Sequence, residues 1–303
     1  MLPDADTLPE ILLDLAVPHQ DINDLVALRR TVTADTGVVR LLEECVEELI
    51  RDIGEVGVEV PLHERVAEAP AALGPYFTVY VFVAALPHTR AYHRERGVTA
   101  DVSRRTLADL GRNMAFHRRR HGTGGVEVPQ WLTHHFRGEL YQLGRLQFER
   151  ARLGRRTGRA VAVTGLEAMP AEPCLNLHIP DFYGSLSPAA CDRSLDLARE
   201  FFARCFPHER YRVAVCHSWL LDPQLKRHLD PDSNIVRFQE RFEPGRDAGE
   251  EPEPADTEPV RFVFGDPDLP VGGLPRRTSV ERAVGDHLRA GGHWYIGHGW
   301  FPL

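Results

Sequence analysis

The order of elements predicted between residues 138 and 242 constrains the fold of this chain more than any other feature. Apolar spacing and turn residues indicate strand, strand, long helix, strand, helix in that order. The long helix covers residues 188–206, and strands at residues 175–179 and 213–216 flank it. Two strands joined by a crossover helix in one sheet are almost always parallel, with a right-handed connection. The sequence therefore predicts an α/β domain in which these two strands are neighbours.

Each flanking strand leads to a histidine at its carboxyl end. His178 is the penultimate residue of the first strand, and His217 directly follows the second. Ligands of open α/β sheets bind in the crevice outside the carboxyl ends of the strands. We therefore expect both imidazoles at one site.

The first 125 residues show apolar side chains at three- and four-residue spacing, which indicates amphipathic helices. We predict helices over residues 8–17, 21–30, 38–53, 76–86 and 103–120. The fourth is strongly apolar and is expected to end before Pro87. Three glycines (Gly122, Gly124 and Gly125) then break the chain. The sequence predicts a helical domain over residues 1–125 and an α/β domain over residues 126–303.

The remaining elements of the second domain follow from changes in period. We predict a strand over residues 138–149, a Gly- and Arg-rich loop over 150–159, a helix capped by Ser233, a strand over 261–264, a helix over 279–289 and a final strand over 293–301. The Pro- and acid-rich segment 244–259 is expected to be a mobile loop.

Composition excludes several classes of function. The net charge of −8 argues against nucleic acid as the main partner, since phosphate binding needs a concentrated basic face. No apolar run reaches the roughly 18 residues of a membrane span, and no signal peptide is evident. The 5 cysteines contain no Cys-x-x-Cys pair, so we expect buried free thiols and a reducing cytoplasm.

The predicted order of elements resembles the fold of GNAT acyltransferases. Four phrases extend the resemblance to a group of bacterial GNAT-like acyltransferases with a helical N-terminal domain: HFRGELYQLGRLQFE (135–149), LNLHIP (175–180), CHSWLLDP (216–223) and SNIVRFQERF (233–242). The resemblance implies a GNAT-like mixed sheet behind a helical N-terminal domain. It also implies transfer of an acyl group from acyl-CoA, as co-substrate, to a primary amine of a small molecule or protein.

The resemblance further implies where acyl-CoA binds. In such enzymes the strands before and after the crossover helix splay apart, and the pantetheine arm pairs with exposed backbone, which here maps to Leu177 and Ile179. The pyrophosphate lies on the loop that starts the crossover helix. That loop carries Tyr183, Gly184, Ser185 and Ser187. The usual phosphate-loop signature is missing from it; a literal match lies at residues 155–160, where we expect no amphipathic helix and interpret the match as chance.

N-acylation needs a base that takes a proton from the amine. His217 is the first candidate, because it ends the strand on the amine side and the ordinary pKa of histidine is near 6.5. Glu139 and His178 are the others. A structural imidazole is the alternative for each histidine, and a salt-bridging carboxylate is the alternative for Glu139.

Two other interpretations of the site remain open. The missing phosphate signature also fits a catalytically inactive GNAT-like module that binds acyl-CoA or a protein. A zinc site could use His134, His135, His178 and His217, but their spacing fits neither a helical pair nor a zinc finger, so we expect no metal.

The basic run from Arg145 to Arg159 is expected to be a solvated loop, with CoA phosphates or an acidic carrier protein as alternative contacts. The oligomeric state is not predicted.

Overall fold

The computed structural model describes residues 2–166, 169–244 and 253–303. Contacts divide the chain into two compact units, Met1–Gln142 and Leu143–Leu303. The domain boundary predicted after residue 125 stays a prediction, because two compactly packed units need not be two independently folding domains.

Unit 1 is helical. Its helices are α1 (Leu8–Asp14), α2 (His19–Ala34), α3 (Thr36–Ile50), α4 (Leu62–Val66), α5 (Phe77–Glu95), α6 (Ala100–Leu107), α7 (Asp109–His121) and α8 (Pro129–Phe136). Asp35 caps α3 by accepting the N–H groups of Gly37 and Val38 at 2.8 and 3.2 Å.

Helix α5 is the centre of unit 1 and corrects one prediction. Residues 77–86 are all buried, and α5 packs against α3 and α8. The helix does not end before Pro87 but continues to Glu95. An internal proline costs roughly 3 kcal/mol, because it removes one backbone hydrogen bond and crowds the preceding turn. Burial of Thr89, Tyr92 and His93 beyond it offsets that cost.

The single helix predicted over residues 103–120 is two helices, α6 and α7. The chain changes direction at Ala108, and the N–H of Gly111 donates to the carbonyl of Leu15 at 3.1 Å instead of to an oxygen of α6. A side chain at Gly111 would overlap the backbone of Ala16, so glycine permits this close approach. Periodicity could not reveal the break, because the apolar spacing continues across it.

A mixed six-stranded sheet follows. Its strands are β1 (Leu140–Leu143), β2 (Leu146–Arg152), β3 (Pro173–His178), β4 (Val213–Ser218), β5 (Glu243–Pro244) and β6 (Gly297–Pro302), in the spatial order β1-β2-β3-β4-β6-β5. Strands β3 and β4 are parallel neighbours joined by α10 (Pro188–Cys205). Both the crossover helix and the parallel pairing are therefore confirmed. Ser187 caps α10 as predicted, accepting the N–H of Ala190 at 3.3 Å.

The segment before β3 differs from its prediction. Residues 138–149 do not form one strand but a hairpin, because Gly144 turns the chain with a φ of 69°. The predicted loop 150–159 completes β2 and then begins helix α9 (Arg155–Val163). The literal phosphate-signature match thus lies on a helix, against expectation. Val161 of α9 packs with Val215 and Trp300 on one face of the sheet.

Two arginines of the predicted solvated run are buried. Arg150 is 4% exposed; it pairs with Glu209 and lies 4.2 Å from the centroid of the Phe206 ring. Arg145 is 8% exposed. The prediction of a solvated loop is therefore wrong for these two residues, because each of them has a specific partner elsewhere in unit 2.

The last elements of unit 2 are α11 (Asn234–Gln239), α12 (Thr257–Phe264) and α13 (Ser279–Arg289). Ser233 caps α11 and the helix over 279–289 is confirmed, but residues 261–264 end a helix rather than forming a strand. Strand β6 begins at Gly297, later than predicted. Residues 245–252 of the segment 244–259, predicted to be a mobile loop, lie outside the described residues. Its last residues, 257–259, begin helix α12 instead.

All 5 cysteines are buried and free, as predicted. Burial raises the pKa of Cys174 and of Cys216 to about 12. In the described parts of the chain, no helix is both long and apolar enough to cross a membrane.

Candidate functional site

The two central strands of the sheet stop pairing near their carboxyl ends. The register of β3 with β4 ends at Leu177 opposite Cys216. Strand β3 stays paired with β2 as far as His178, and β4 stays paired with β6 as far as Ser218. The sheet therefore loses its central ladder at this edge while both flanking ladders continue. Such a gap presents backbone hydrogen-bonding groups to a ligand.

A row of polar side chains crosses one face of the sheet beside this gap. His217 lies opposite His298 on β6, and His178 lies opposite Gln147 on β2. Glu149 shares this face, because it is two residues beyond Gln147. The sheet thus places three histidines and a carboxylate together on the face that α9 covers further along the strands.

Glu149 holds His178 in place. The His178 Nε2–H donates to Glu149 Oε2 at 2.7 Å, and Asn176 Nδ2 donates to the same oxygen at 2.9 Å. The side chains of His178 and Glu149 are 24% and 16% exposed, so the pair lies at the edge of solvent. A carboxylate that orients an imidazole in this way is typical of acid–base sites.

His217 and His298 form a second pair. Their Nδ1 atoms share a hydrogen bond, and the ring centroids are 4.5 Å apart at an interplanar angle of 65°. His217 is exposed as a residue, yet enough protein surrounds its ring for desolvation, together with the nearby His178, to lower its pKa below the ordinary value of 6.5. His217 is therefore neutral at pH 7 and can accept a proton.

The loop between β3 and α10 forms the other half of the site. Gly184 has a φ of 76°, a conformation that glycine adopts without strain, and no atom of the described residues beyond its chain neighbours lies within 4 Å of where its Cβ would be. The Ser185 hydroxyl accepts a hydrogen bond from Asn234 at 2.7 Å. Ser187 caps α10, an 18-residue helix whose N-terminal N–H groups and dipole favour an anion.

Arg145 supports this loop from below. Its Nε donates to the carbonyl of Gly184 at 2.9 Å, and its backbone N–H donates to Ser194 of α10 at 2.7 Å. The buried Nη1 atom has no hydrogen-bond partner among the described residues. Burial lowers the pKa of this guanidinium, but arginine stays charged at any physiological pH. An anion is the ligand that such a group lacks.

The predicted site residues separate into two groups. The structure brings His178 and His217 to one face of adjacent strands, and it places Gly184, Ser185 and Ser187 on the loop before α10. Of the other predicted binding residues, Leu177 is buried, Ile179 follows β3, and the ring of Tyr183 lies beside that of Phe182, with centroids 4.9 Å apart and planes tilted by 55°.

Glu139 lies in unit 1, where it is 3% exposed. It accepts a hydrogen bond from Arg137 Nε at 2.7 Å and interacts with His134 Nδ1 at 3.0 Å. This arrangement matches the alternative of a salt-bridging carboxylate.

Sequence reasoning missed three groups: Glu149, Asn176 and His298. It named Arg145 only as part of a basic run, with CoA phosphates as an alternative contact. A signal existed for Glu149, because Gln147 and Glu149 are polar residues two apart in β2 and therefore share one face of the strand. No local signal places His298 beside His217, since this depends on β6 pairing with β4 across 81 residues of chain.

Comparison with known proteins agrees with this architecture. Residues 140–301 match the GNAT-like C-terminal domain, and residues 6–138 match the N-acyltransferase N-terminal domain. No curated protein matches the sequence.

Several solved acyltransferase structures are similar to this chain along its whole length. One, in complex with decanoyl-CoA and teicoplanin, is 37% identical; the match covers 100% of this chain and 90% of that chain, with a TM-score of 0.86. Another, in complex with CoA and 10C-teicoplanin, gives the same identity, coverage and TM-score. These matches confirm the resemblance and the α/β fold. The chain therefore belongs to the acyltransferase family that joins an N-acyltransferase N-terminal domain to a GNAT-like C-terminal domain.

Proposed function

We propose that this chain transfers an acyl group from acyl-CoA to an amine. The observation that carries the proposal is the anion site beside the gap between β3 and β4. Gly184, Ser185 and the first turn of α10 offer polar groups, and Arg145 adds a buried positive charge with an unused donor. Acyl-CoA needs this combination, because its pyrophosphate must be bound while its thioester lies between the strands.

The pantetheine arm of acyl-CoA extends from this anion site along β3. Backbone groups of Leu177, at the last β3–β4 bridge, and of Ile179, beyond it, pair with its amides. The thioester then reaches the histidine pairs at the carboxyl ends of the strands. The loop lacks the usual phosphate signature, and Arg145 of the β1–β2 hairpin supplies the positive charge in its place.

We assign the general base to His217. The neutral amine attacks the thioester carbonyl, a C–N bond forms, the C–S bond breaks and the amine proton passes to the ring of His217. The CoA thiolate leaves and is then protonated. A lowered pKa keeps His217 in its accepting form at neutral pH. The His178–Glu149 pair is the second candidate.

The relatives guide the choice of substrates. They were solved with decanoyl-CoA, octanoyl-CoA or teicoplanin. We propose a medium acyl chain and a large acceptor that carries a primary amine.

A direct assay tests the proposal. The purified chain is mixed with decanoyl-CoA and an amine-bearing glycopeptide core, and release of the CoA thiol and mass of the product are recorded. We expect an acylated product whose formation depends on His217. Binding of CoA without turnover of any acceptor would favour the catalytically inactive module instead.

A further inference from the structure

The end of helix α7 carries a cluster of metal-binding side chains that acyl transfer does not use. His117 and His121 are four residues apart on α7. The chain turns back at Gly122 and brings Glu127 beside them. One ligand atom from each side chain lies within 4.8 Å of the other two. The three residues all belong to unit 1. Two histidines at this spacing on a helix present their rings on one side, as in many zinc sites.

Each side chain is oriented from behind by a second group. His117 Nδ1–H donates to the carbonyl of Thr123 at 3.0 Å, which leaves the lone pair of a neutral ring on Nε2. Arg120 binds Oε1 of Glu127, while Oε2 lies 3.0 Å from His121 Nε2. Metal sites commonly fix ligating imidazoles and carboxylates in this manner.

The loop that carries Glu127 is itself anchored. Asn113 Oδ1, from the middle of α7, accepts the backbone N–H groups of Glu127 and Val128 at 2.7 and 3.3 Å. Glu127 is 7% exposed as a side chain. The carboxylate therefore does not swing freely in solvent, and the position of all three ligands depends on one helix and its anchored loop.

We propose that His117, His121 and Glu127 bind a divalent transition metal, with Zn²⁺ as the best fit. Two imidazole nitrogens and one carboxylate oxygen form a three-ligand set that leaves the fourth tetrahedral position to water. Ligand atoms around a tetrahedral zinc ion lie about 3.3 Å apart for bonds of about 2.0 Å. His121 and Glu127 already meet this separation, and the third ligand needs a shift of at most about 1.5 Å.

The proposal differs from the simpler interpretation, in which His121 only forms an ion pair with Glu127. The ion pair does not involve Nε2 of His117, whose ring is fixed through Nδ1 at Thr123 and lies 4.5 Å from the His121 ring between centroids. The expectation that the chain binds no metal considered other histidines, at positions 134, 135, 178 and 217. This proposal does not depend on acyl transfer.

Metal titration of the full chain tests the proposal. The protein is freed of metal with a chelator, dialysed and titrated with Zn²⁺ by calorimetry, and Co²⁺ is titrated in parallel for its visible absorption. We expect wild type to bind one equivalent more than each of His117→Ala, His121→Ala and Glu127→Gln. The matched control is His63→Ala, which removes an exposed helical histidine of the same unit.

In each variant the affinity of this site for Zn²⁺ is expected to fall by more than about 100-fold. A loss of roughly 100-fold is the upper end of what removal of a group that only hydrogen-bonds to a metal ligand costs. Mg²⁺ should not compete, because it prefers all-oxygen sites. Circular dichroism verifies that each variant is folded; for a variant that is not, the Co²⁺ spectrum of wild type decides, since tetrahedral coordination absorbs strongly. The proposal is overturned if wild type takes up no Zn²⁺ at micromolar concentration, or if all three variants retain the full stoichiometry.

Discussion

Replacement of Arg145 by methionine separates a buried anion site from a merely basic surface. Methionine keeps the apolar stem of the side chain and removes the guanidinium. In the free protein the change removes one hydrogen bond, to the carbonyl of Gly184, and relieves the burial of a charge that lacks a full set of partners. Because these two effects oppose each other, we expect the free energy of unfolding to change little.

The effect on ligand binding should be large. A hydrogen bond between a charged donor and an anion contributes about 1.5–3 kcal/mol. Since about 1.4 kcal/mol corresponds to a factor of ten, the dissociation constant for CoA should rise about 10- to 150-fold. Arg155 is the matched control: it is exposed at the start of α9, so Arg155→Met should change the constant by less than about threefold.

Isothermal titration with CoA at low and high salt measures both variants. The contribution of Arg145 should persist at high salt, because salt screens a residue that is only 8% exposed very little. Equal losses in the two variants, or a loss that disappears in salt, would refute the buried site and indicate a diffuse electrostatic one.

Three further predictions concern the base, the loop and stability. His217→Ala should lower turnover roughly 100- to 10,000-fold with unchanged acyl-CoA affinity. In wild type, kcat/KM should begin to fall only below pH 6.5, because the pKa of His217 is lowered. A fall that begins above pH 7 would contradict the assignment of His217 as the base. Gly184→Val should weaken CoA binding in calorimetry more than Arg155→Met does, since a φ of 76° costs an L-residue about 1–2 kcal/mol; equal effects would place the phosphates elsewhere. Burial raises the pKa of Glu209, but hydrogen bonds from Arg150 and Tyr211 outweigh burial and leave this pKa lowered. The Glu209–Arg150 pair therefore stabilises the fold at pH values above the carboxyl's unfolded pKa, and this stabilisation is lost as pH falls through the folded pKa. Glu209→Gln should therefore cost about 1.5–3 kcal/mol in urea unfolding at pH 7 and much less at pH 3, and an equal cost at both would argue against the ion pair.

The sequence predicted those parts of the fold that local signals control. Helix α10 has a serine cap, a proline at its first position and a continuous apolar face, so its limits were predicted to within one residue. The passage of α5 through Pro87 depends on the packing around it, which no local pattern contains. Residues 261–264 look like a strand by composition but complete a helix, because burial of Pro259 and Val260 decides their conformation.

The candidate site was predictable in part for a similar reason. Chain order alone places His178 and His217 on neighbouring strands, because crossover connections obey a general rule. The partners Glu149 and His298 depend on the register of β2 and on β6 as the neighbour of β4, and both are long-range properties. The role of Arg145 was hidden for the opposite reason: it lies in a run of arginines, and sequence does not show which of them is buried.

The buried cysteines have a practical consequence for work with this enzyme. Chromogenic thiol reagents react with the thiolate and need an accessible sulfur of ordinary pKa. In this protein burial keeps all five sulfurs from solvent and raises the pKa of Cys45 to about 11. A chromogenic thiol reagent in a reaction mixture should therefore report released CoA with little background from the folded chain. When the protein unfolds, the same reagent gains five new targets, so one cuvette can follow both turnover and the loss of the native state.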